Sequence, residues 1–352
     1  MNKKIALVLV LVLVLPALLG LTACGSKKPV LHVYNWEDYI DPAVIDMFEE
    51  EYGVTVKYSA FTTNEDMFAL LQSGATSYDV IFPSDYIIER MIAEDLIAEI
   101  DYSLLPNFEH IAPEFASGVG YDPEAKYSVP YMWGTVGILY NTTMVSEPIT
   151  SWEVLWDPQY DDNILMLDSI RDSLGITLKY LGYSLNSRDA AELEEAKLAL
   201  IDQKEYVLSY VVDQGKDKMV RGEAAMAVVW SGDAAYAMAQ NPDLDYVIPE
   251  EGSNIWVDAM VIPANSENQE LAHAFIDFMC RPDIAQMNAE YIGYSSPNAT
   301  AVANMDSAIS GDERFYPSPE VIANCEYFHD LGDDLDMYNE MWSEIKSGAT
   351  GN

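Results

Sequence analysis

The chain has 352 residues and half of them are hydrophobic, enough to bury the cores of two α/β domains and too apolar for a disordered chain. Its formal net charge of −40 excludes nucleic acid as a partner, because phosphates would be repelled. A field of that sign attracts cations, although much of it reads equally well as an acidic, solvated surface.

The N-terminus reads as a leader. Lys3 and Lys4 precede an apolar run over residues 5–21, which ends in Leu21-Thr22-Ala23-Cys24. That ending looks like a bacterial lipobox, so residues 1–23 are expected to be a signal peptide and Cys24 the acylated first residue of the mature chain. An uncleaved anchor helix is the competing reading. Either way the bulk of the protein is expected on the extracytoplasmic face of the cell membrane, in the periplasmic space or on the outer surface. Two acyl chains would hold it there stably. Cys280 and Cys325 remain, without a spacing motif. A disulfide and two free thiols both stay open.

Residues 24–29 form a short tether. Strands are then expected over 30–35, 54–59 and 78–82, alternating with helices over 42–52, 64–73 and 84–95. Pro42 suits the first turn of its helix and Gly53 its end, and Asn64 and Ser84 are expected caps. This βαβαβα order is that of a parallel sheet covered by helices. The middle resets with strands over 127–130 and 135–140, a helical stretch beginning at 152–156 and a strand over 164–167. Helices over 172–181 and 189–210, a strand over 224–230 and a helix over 233–240 complete a second α/β unit. A strand over 256–263 and helices over 269–279 and 283–291 follow, and the last 35 residues look helical.

Enzyme chemistry is absent from the pattern. The four histidines are scattered without zinc-ligand spacing, and there is no nucleophile elbow, phosphate loop or dinucleotide fingerprint. The acidic run over 330–336 lacks the spacing of a calcium loop. No cofactor, no metal and no catalytic residue is expected.

What stands out is aromatic residues beside acids at strand ends. Tyr34-Asn35-Trp36-Glu37-Asp38-Tyr39 ends the first strand and Pro83-Ser84-Asp85-Tyr86 the third. Trp230-Ser231-Gly232-Asp233 ends a later one, and Ile255-Trp256-Val257-Asp258 opens the next. In open parallel sheets ligands bind beyond the carboxyl ends of strands. A polyamine demands such a site. Each ammonium needs a carboxylate, and each methylene run needs an apolar wall, which aromatic faces supply while attracting the cation. Singly, these residues read as partial core, and Asp38 and Asp85 as ordinary turn or capping residues.

The stretches YNWEDYI (34–40), YDVIFPSDY (78–86), YSVPYMWGTVGI (127–138), TSWEVLWDPQY (150–160), MAVVWSGDA (226–234), WVDAMVIPANSEN (256–268) and IGYSSPN (292–298) closely resemble the spermidine/putrescine-binding proteins of bacterial polyamine ABC transporters. The resemblance implies the type II periplasmic-binding-protein fold, two α/β lobes with the ligand cleft between them. Lobe 1 is placed at 30–135 plus 257–302, and lobe 2 at 136–256 plus 303–352. It implies aromatic contacts from Trp36, Tyr39, Trp230, Trp256 and Tyr294, and an acidic contact from Asp38. Ser84 and Tyr86 match the motif after the third strand, and Asp258 matches the main ammonium acceptor. Two places depart from the pattern. Of an acidic pair before the central helix, Asp172 matches one member and Ser169 replaces the other, and Phe328 stands where the family has a glutamine. The implied protein is a monomer that delivers polyamine to an ABC transporter permease. A sensory lipoprotein and the same fold with a different cationic solute are the alternatives. An amino-acid ligand would need a cation for its carboxylate, and Arg171 is the candidate.

Overall fold

The computed structural model describes residues 28–117 and 120–348, so the leader and Cys24 lie outside the described residues. The expected alternation is present. Strand β1 (Val30–Trp36) leads to helix α1 (Pro42–Tyr52), β2 (Thr55–Phe61), α2 (Asn64–Gln72), β3 (Val80–Ile81) and α3 (Asp85–Ala93). β1 lies between β2 and β3, parallel to both. Its alternate residues Leu31 and Val33 are fully buried, and they pack with Phe48 of α1 and Ile81 of β3 in one apolar core.

The next strand is longer than the sequence suggests. β4 (Val129–Asn141) runs thirteen residues without a break, where two short strands are expected, and all of it but Tyr140 is buried. It continues through Tyr131–Gly134 because both halves find partners. Its first half pairs antiparallel with β9 (Ile255–Met260), ending at Thr135 opposite Ile255. Its second half begins at Val136 opposite Trp230 of β7 (Met226–Trp230). One strand thus serves two sheets.

The second sheet has the order β6-β5-β7-β4-β8, from β5 (Ile164–Leu167), β6 (Val207–Val211), β7, β4 and β8 (Leu244–Val247). β6 and β8 correct the reading above. The helix expected to reach residue 210 ends at Gln203, and the β-branched and aromatic segment Val207–Val211 pairs with β5 instead. The remaining helices of this unit are α4 (Ile170–Tyr180), α5 (Ala190–Gln203), α6 (Gln214–Val220) and α7 (Ser231–Gln240). Trp152–Trp156 is a 3₁₀ turn.

Back on the first sheet, antiparallel bridges Ile81–Val261 and Ser84–Asp258 join β3 and the chain after it to the β9 segment. Helices α8 (Gln269–Met279) and α9 (Pro282–Ile292) pack on this side, with Phe275, Ile276 and Phe278 fully buried. The C-terminal stretch is helical only in part. It holds a short turn at Pro319–Ile322, an extended segment that bridges Asn254 at Glu326, and α10 (Leu335–Ser347). Cys280 and Cys325 are free thiols. Among the described residues no helix is long and apolar enough to cross a membrane, and no group of His, Cys, Asp and Glu could hold a metal ion.

Candidate ligand-binding site

The carboxyl ends of β1 and β3, the start of β9 and the first turns of α4 and α7 meet around one set of buried acids. Two local expectations change there. Thr63, not Asn64, caps α2, by accepting from the Asp66 amide. Asn64 is turned inward, accepting from the Ser84 amide at 3.2 Å and donating to Tyr86 Oη at 3.1 Å. Ser84 does not cap α3 with its side chain. Its Oγ donates instead to Asp258 Oδ1 at 2.6 Å.

Asp258 is only 6% exposed. Tyr39 Oη lies next to its carboxylate without a well-formed hydrogen bond. Burial pushes the Asp258 carboxyl up to about 6, with Ser84 and Tyr39 pulling the other way. Trp256, two residues earlier on the same strand face, is 9% exposed and its Nε1 has no partner. Tyr294 stands edge-on to Trp256 at 5.0 Å and to Tyr39 at 5.9 Å, so three predicted aromatic residues form one wall around Asp258. Gly232, at the start of α7, lets the two units approach here. A Cβ on it would lie 2.3 Å from the Tyr294 ring. Trp230, one residue before α7, is half-buried and packs against the cores of both units.

Trp36 rests on Phe61 at 4.4 Å, and its indole Nε1 is unpartnered. Asp38 is exposed in the left-handed region at φ 52°, within a turn that the Asn35 side chain closes onto the Tyr39 carbonyl. Asp172, in the first turn of α4, is buried. It accepts from Ser169 Oγ at 2.7 Å and from Asn254 Nδ2 at 3.4 Å. Burial raises its carboxyl, against those two bonds and the Arg171 charge. Phe328 is buried beneath Arg171, whose guanidinium sits 4.3 Å from the ring centre and 5.7 Å from that of Tyr86. Arg171 donates to the His329 carbonyl and Asn186 Oδ1, so no acid is among its hydrogen-bond acceptors.

Three residues of the site carry no ligand role in the sequence reading. Asp85 is 1% exposed. Its Oδ1 accepts the Tyr86 amide, the Val257 amide also acts on its carboxylate, and its Oδ2 has no partner of hydrogen-bonding geometry. Asn254 Oδ1 and Tyr121 Oη are likewise buried and unpartnered. Asn254 directly precedes the Ile-Trp-Val-Asp stretch, which is a weak signal, and Tyr121 had none. Other buried acids differ sharply. Asp122 accepts from three backbone amides and Ser128 Oγ, Asp79 from the His32 amide, Ser266 and Asn268, and Asp233 pairs with Lys216 at 2.8 Å. Asp85, Asp172 and Asp258 instead form no salt bridge and keep acceptor capacity unused. Buried carboxylates left so are costly unless a cation joins them. The arrangement suits a ligand with several ammonium groups joined by apolar chain.

Residues 43–316 match the family model for bacterial extracellular solute-binding proteins. A spermidine/putrescine-binding periplasmic protein of Salmonella typhimurium is 36% identical over 94% of this chain and 95% of its own length. Among solved structures, a putative spermidine/putrescine ABC transporter protein from Listeria monocytogenes superposes with a TM-score of 0.85 at 43% identity, covering 91% of this chain and 99% of that one. A spermidine/putrescine ABC transporter substrate-binding protein from Streptococcus pneumoniae gives 0.84 at 40% identity with the same coverage. The fold is therefore the two-lobed α/β fold expected from the resemblance.

Proposed function

The chain belongs to the bacterial extracellular solute-binding proteins, and from that premise we propose that it captures spermidine or putrescine in the cleft between its sheets and delivers it to an ABC import permease. The observation that carries this reading is the trio Asp85, Asp172 and Asp258, buried without a salt bridge, with Trp256, Tyr294 and Tyr39 around Asp258. In this reading Asp258 takes one ammonium, Asp172 with Ser169 another, and Trp36, Trp230 and Trp256 flank the methylene chain. Asp38 and Tyr86 line the mouth and Phe328 backs the far end. The lobes divide as residues 30–135 with 257–302 and residues 136–256 with 303–352. The change of partners along β4 at Thr135 and Val136 supports that division. A ligand held from both sides favours the closed arrangement, because only closure forms both sets of contacts.

Calorimetric titration with spermidine, putrescine, spermine and cadaverine tests the reading. Saturable binding of at least one amine, with an acidic amino acid as a silent control, is the expected result. No heat with any amine in folded protein overturns it. The same titration has a defined pH dependence. An ammonium binds the ionised carboxylate, and the amines stay protonated throughout, as lysine does. Asp258 is raised to about 6, so affinity should be full above that pH and fall below it. At pH 5 it should be about tenfold weaker than at pH 7. A flat profile between pH 5 and 7 would exclude Asp258 as an acceptor.

We also propose that Cys24 carries the lipid anchor, on the strength of the Leu21-Thr22-Ala23-Cys24 sequence behind a charged apolar leader. Cys24→Ala should leave an unprocessed precursor or release the protein from the membrane fraction. Mass spectrometry of the wild-type mature chain decides it, and an unmodified Cys24 would rule the anchor out.

A further inference from the structure

We propose that Asp85 is a third ammonium acceptor of the cleft, beside Asp258 and Asp172, and that it makes the site favour a triamine over a diamine. The inference rests on the polyamine reading above and names a residue to which that reading by sequence gave only a turn or capping role.

The bland alternative is a helix-start residue serving its own first turn. Asp85 does accept the Tyr86 amide at 2.7 Å, and α3 is a nine-residue helix. That uses one oxygen. Oδ2 is buried without a donor of hydrogen-bonding geometry, although the Val257 amide acts on the carboxylate, and a residue serving only the helix would avoid this by turning to solvent. The groups around it come from four other parts of the chain. Asp258 of β9 and Arg171 of α4 act on its charge, and its own charge acts on Tyr121 and on Tyr327 of the C-terminal segment. Asp85 is not among the hydrogen-bond acceptors of Arg171, and Arg171 Nε is itself buried without a partner. Arg171 spends its bonds on the His329 carbonyl and Asn186.

The cover over Asp85 is also informative. In the lobe division proposed above, Arg171 and Tyr327 belong to lobe 2, whereas Asp85 and Asp258 sit on lobe 1. Parting the lobes would withdraw Arg171 and Tyr327 from Asp85. Closing them buries it with whatever cation has entered. Burial raises its carboxyl well above the usual range, the Asp258 charge adds to this, and the Tyr86 and Val257 amides and Arg171 oppose it. A free Asp85 therefore holds a proton more readily than an exposed carboxylate does, and an incoming ammonium displaces that proton. Three acids with unused acceptor capacity match the three ammonium groups of spermidine. Putrescine, with two, leaves one acid unmatched.

The test is a pair of titrations, spermidine and putrescine, on the full chain and on Asp85→Asn, with thermal unfolding of each protein without ligand. Asparagine replaces a buried carboxyl that is costly to ionise with a neutral group of the same shape, so the ligand-free melting temperature should stay or rise. Spermidine affinity should drop tenfold or more and putrescine affinity less than threefold. A second measurement needs no variant. Calorimetry at pH 6 in buffers of different ionisation heat should show more protons released by spermidine than by putrescine. The proposal is overturned if the variant loses both amines equally or neither, or if its melting temperature falls along with its affinity. Equal proton release by the two amines overturns it as well. Failure of the wild-type chain to bind any polyamine is a different result, and it removes the functional reading itself.

Discussion

Asp258→Asn should weaken polyamine binding by about 2–5 kcal/mol, roughly thirtyfold to several thousandfold, while the ligand-free protein remains folded. The reason is the asymmetry of its surroundings. Without ligand, Asp258 has one donor of good geometry, Ser84 Oγ at 2.6 Å, and burial lifts its carboxyl to about 6. In the unfolded chain its pKa is near the ordinary aspartate value of 3.8. The folded state therefore binds the proton more tightly. The contribution of Asp258 to stability is then greatest at low pH, declines as pH rises from about 4 to about 6, and stays at the lower level above. That difference is on the order of 3 kcal/mol, and asparagine abolishes it. Thermal unfolding at pH 7 should show Asp258→Asn equal to or more stable than wild type, and titration should show its affinity collapse. An affinity change under twofold in the folded variant would refute the acceptor role.

Gly252→Ala should cost about 2–5 kcal/mol of stability, from a left-handed backbone strain of about 1–2 kcal/mol and an overpacking cost of about 1–3. Gly252 has φ 86°, and a Cβ there would sit 1.8 Å from the Asn324 carbonyl oxygen. Backbone cannot move aside as the end of a flexible side chain can. The neighbouring bonds raise the stakes. The Gly252 carbonyl accepts the indole of fully buried Trp152 at 2.9 Å, and Glu326 and Ser253 join by a backbone bond of 2.9 Å. Ile255 closes back onto Glu326 at 3.0 Å. This seam holds the segment bearing Phe328 under Arg171 and carries the chain into β9 just before Trp256 and Asp258. Urea unfolding should show the loss, and polyamine affinity should fall with it. A loss below about 1 kcal/mol would mean that the Asn324 segment is free to shift.

How much of this was legible varies by element. The βαβαβα start follows from strand and helix periodicities with capping residues between them, and α1 has its expected bounds, Pro42 to Tyr52. β6 and β8 were not legible. They are short, they lack a clean apolar alternation, and only pairing with β5 and β4 makes them strands. β4 reads as two strands in the sequence for the opposite reason. Its middle reads as aromatic and small residues, and its continuity depends on β9 and β7 taking it over at adjacent residues.

By itself the sequence determined the class of fold, the family, and the residue types of the site, because aromatic and acidic residues cluster within a few positions at strand ends. Tertiary structure alone decided which buried acids keep open acceptor sites. Asp79, Asp85, Asp122, Asp172, Asp233 and Asp258 are all buried aspartates that local sequence does not separate. What separates them is donor supply, and much of that arrives from far along the chain. Ser84 reaches Asp258 across 174 positions, Asn254 reaches Asp172 across 82, and Asp79 takes Ser266 across 187. Whether a buried carboxylate is satisfied or left with open acceptor sites is set by which distant segments the fold brings beside it, and that sum of contacts has no signature within a window of sequence.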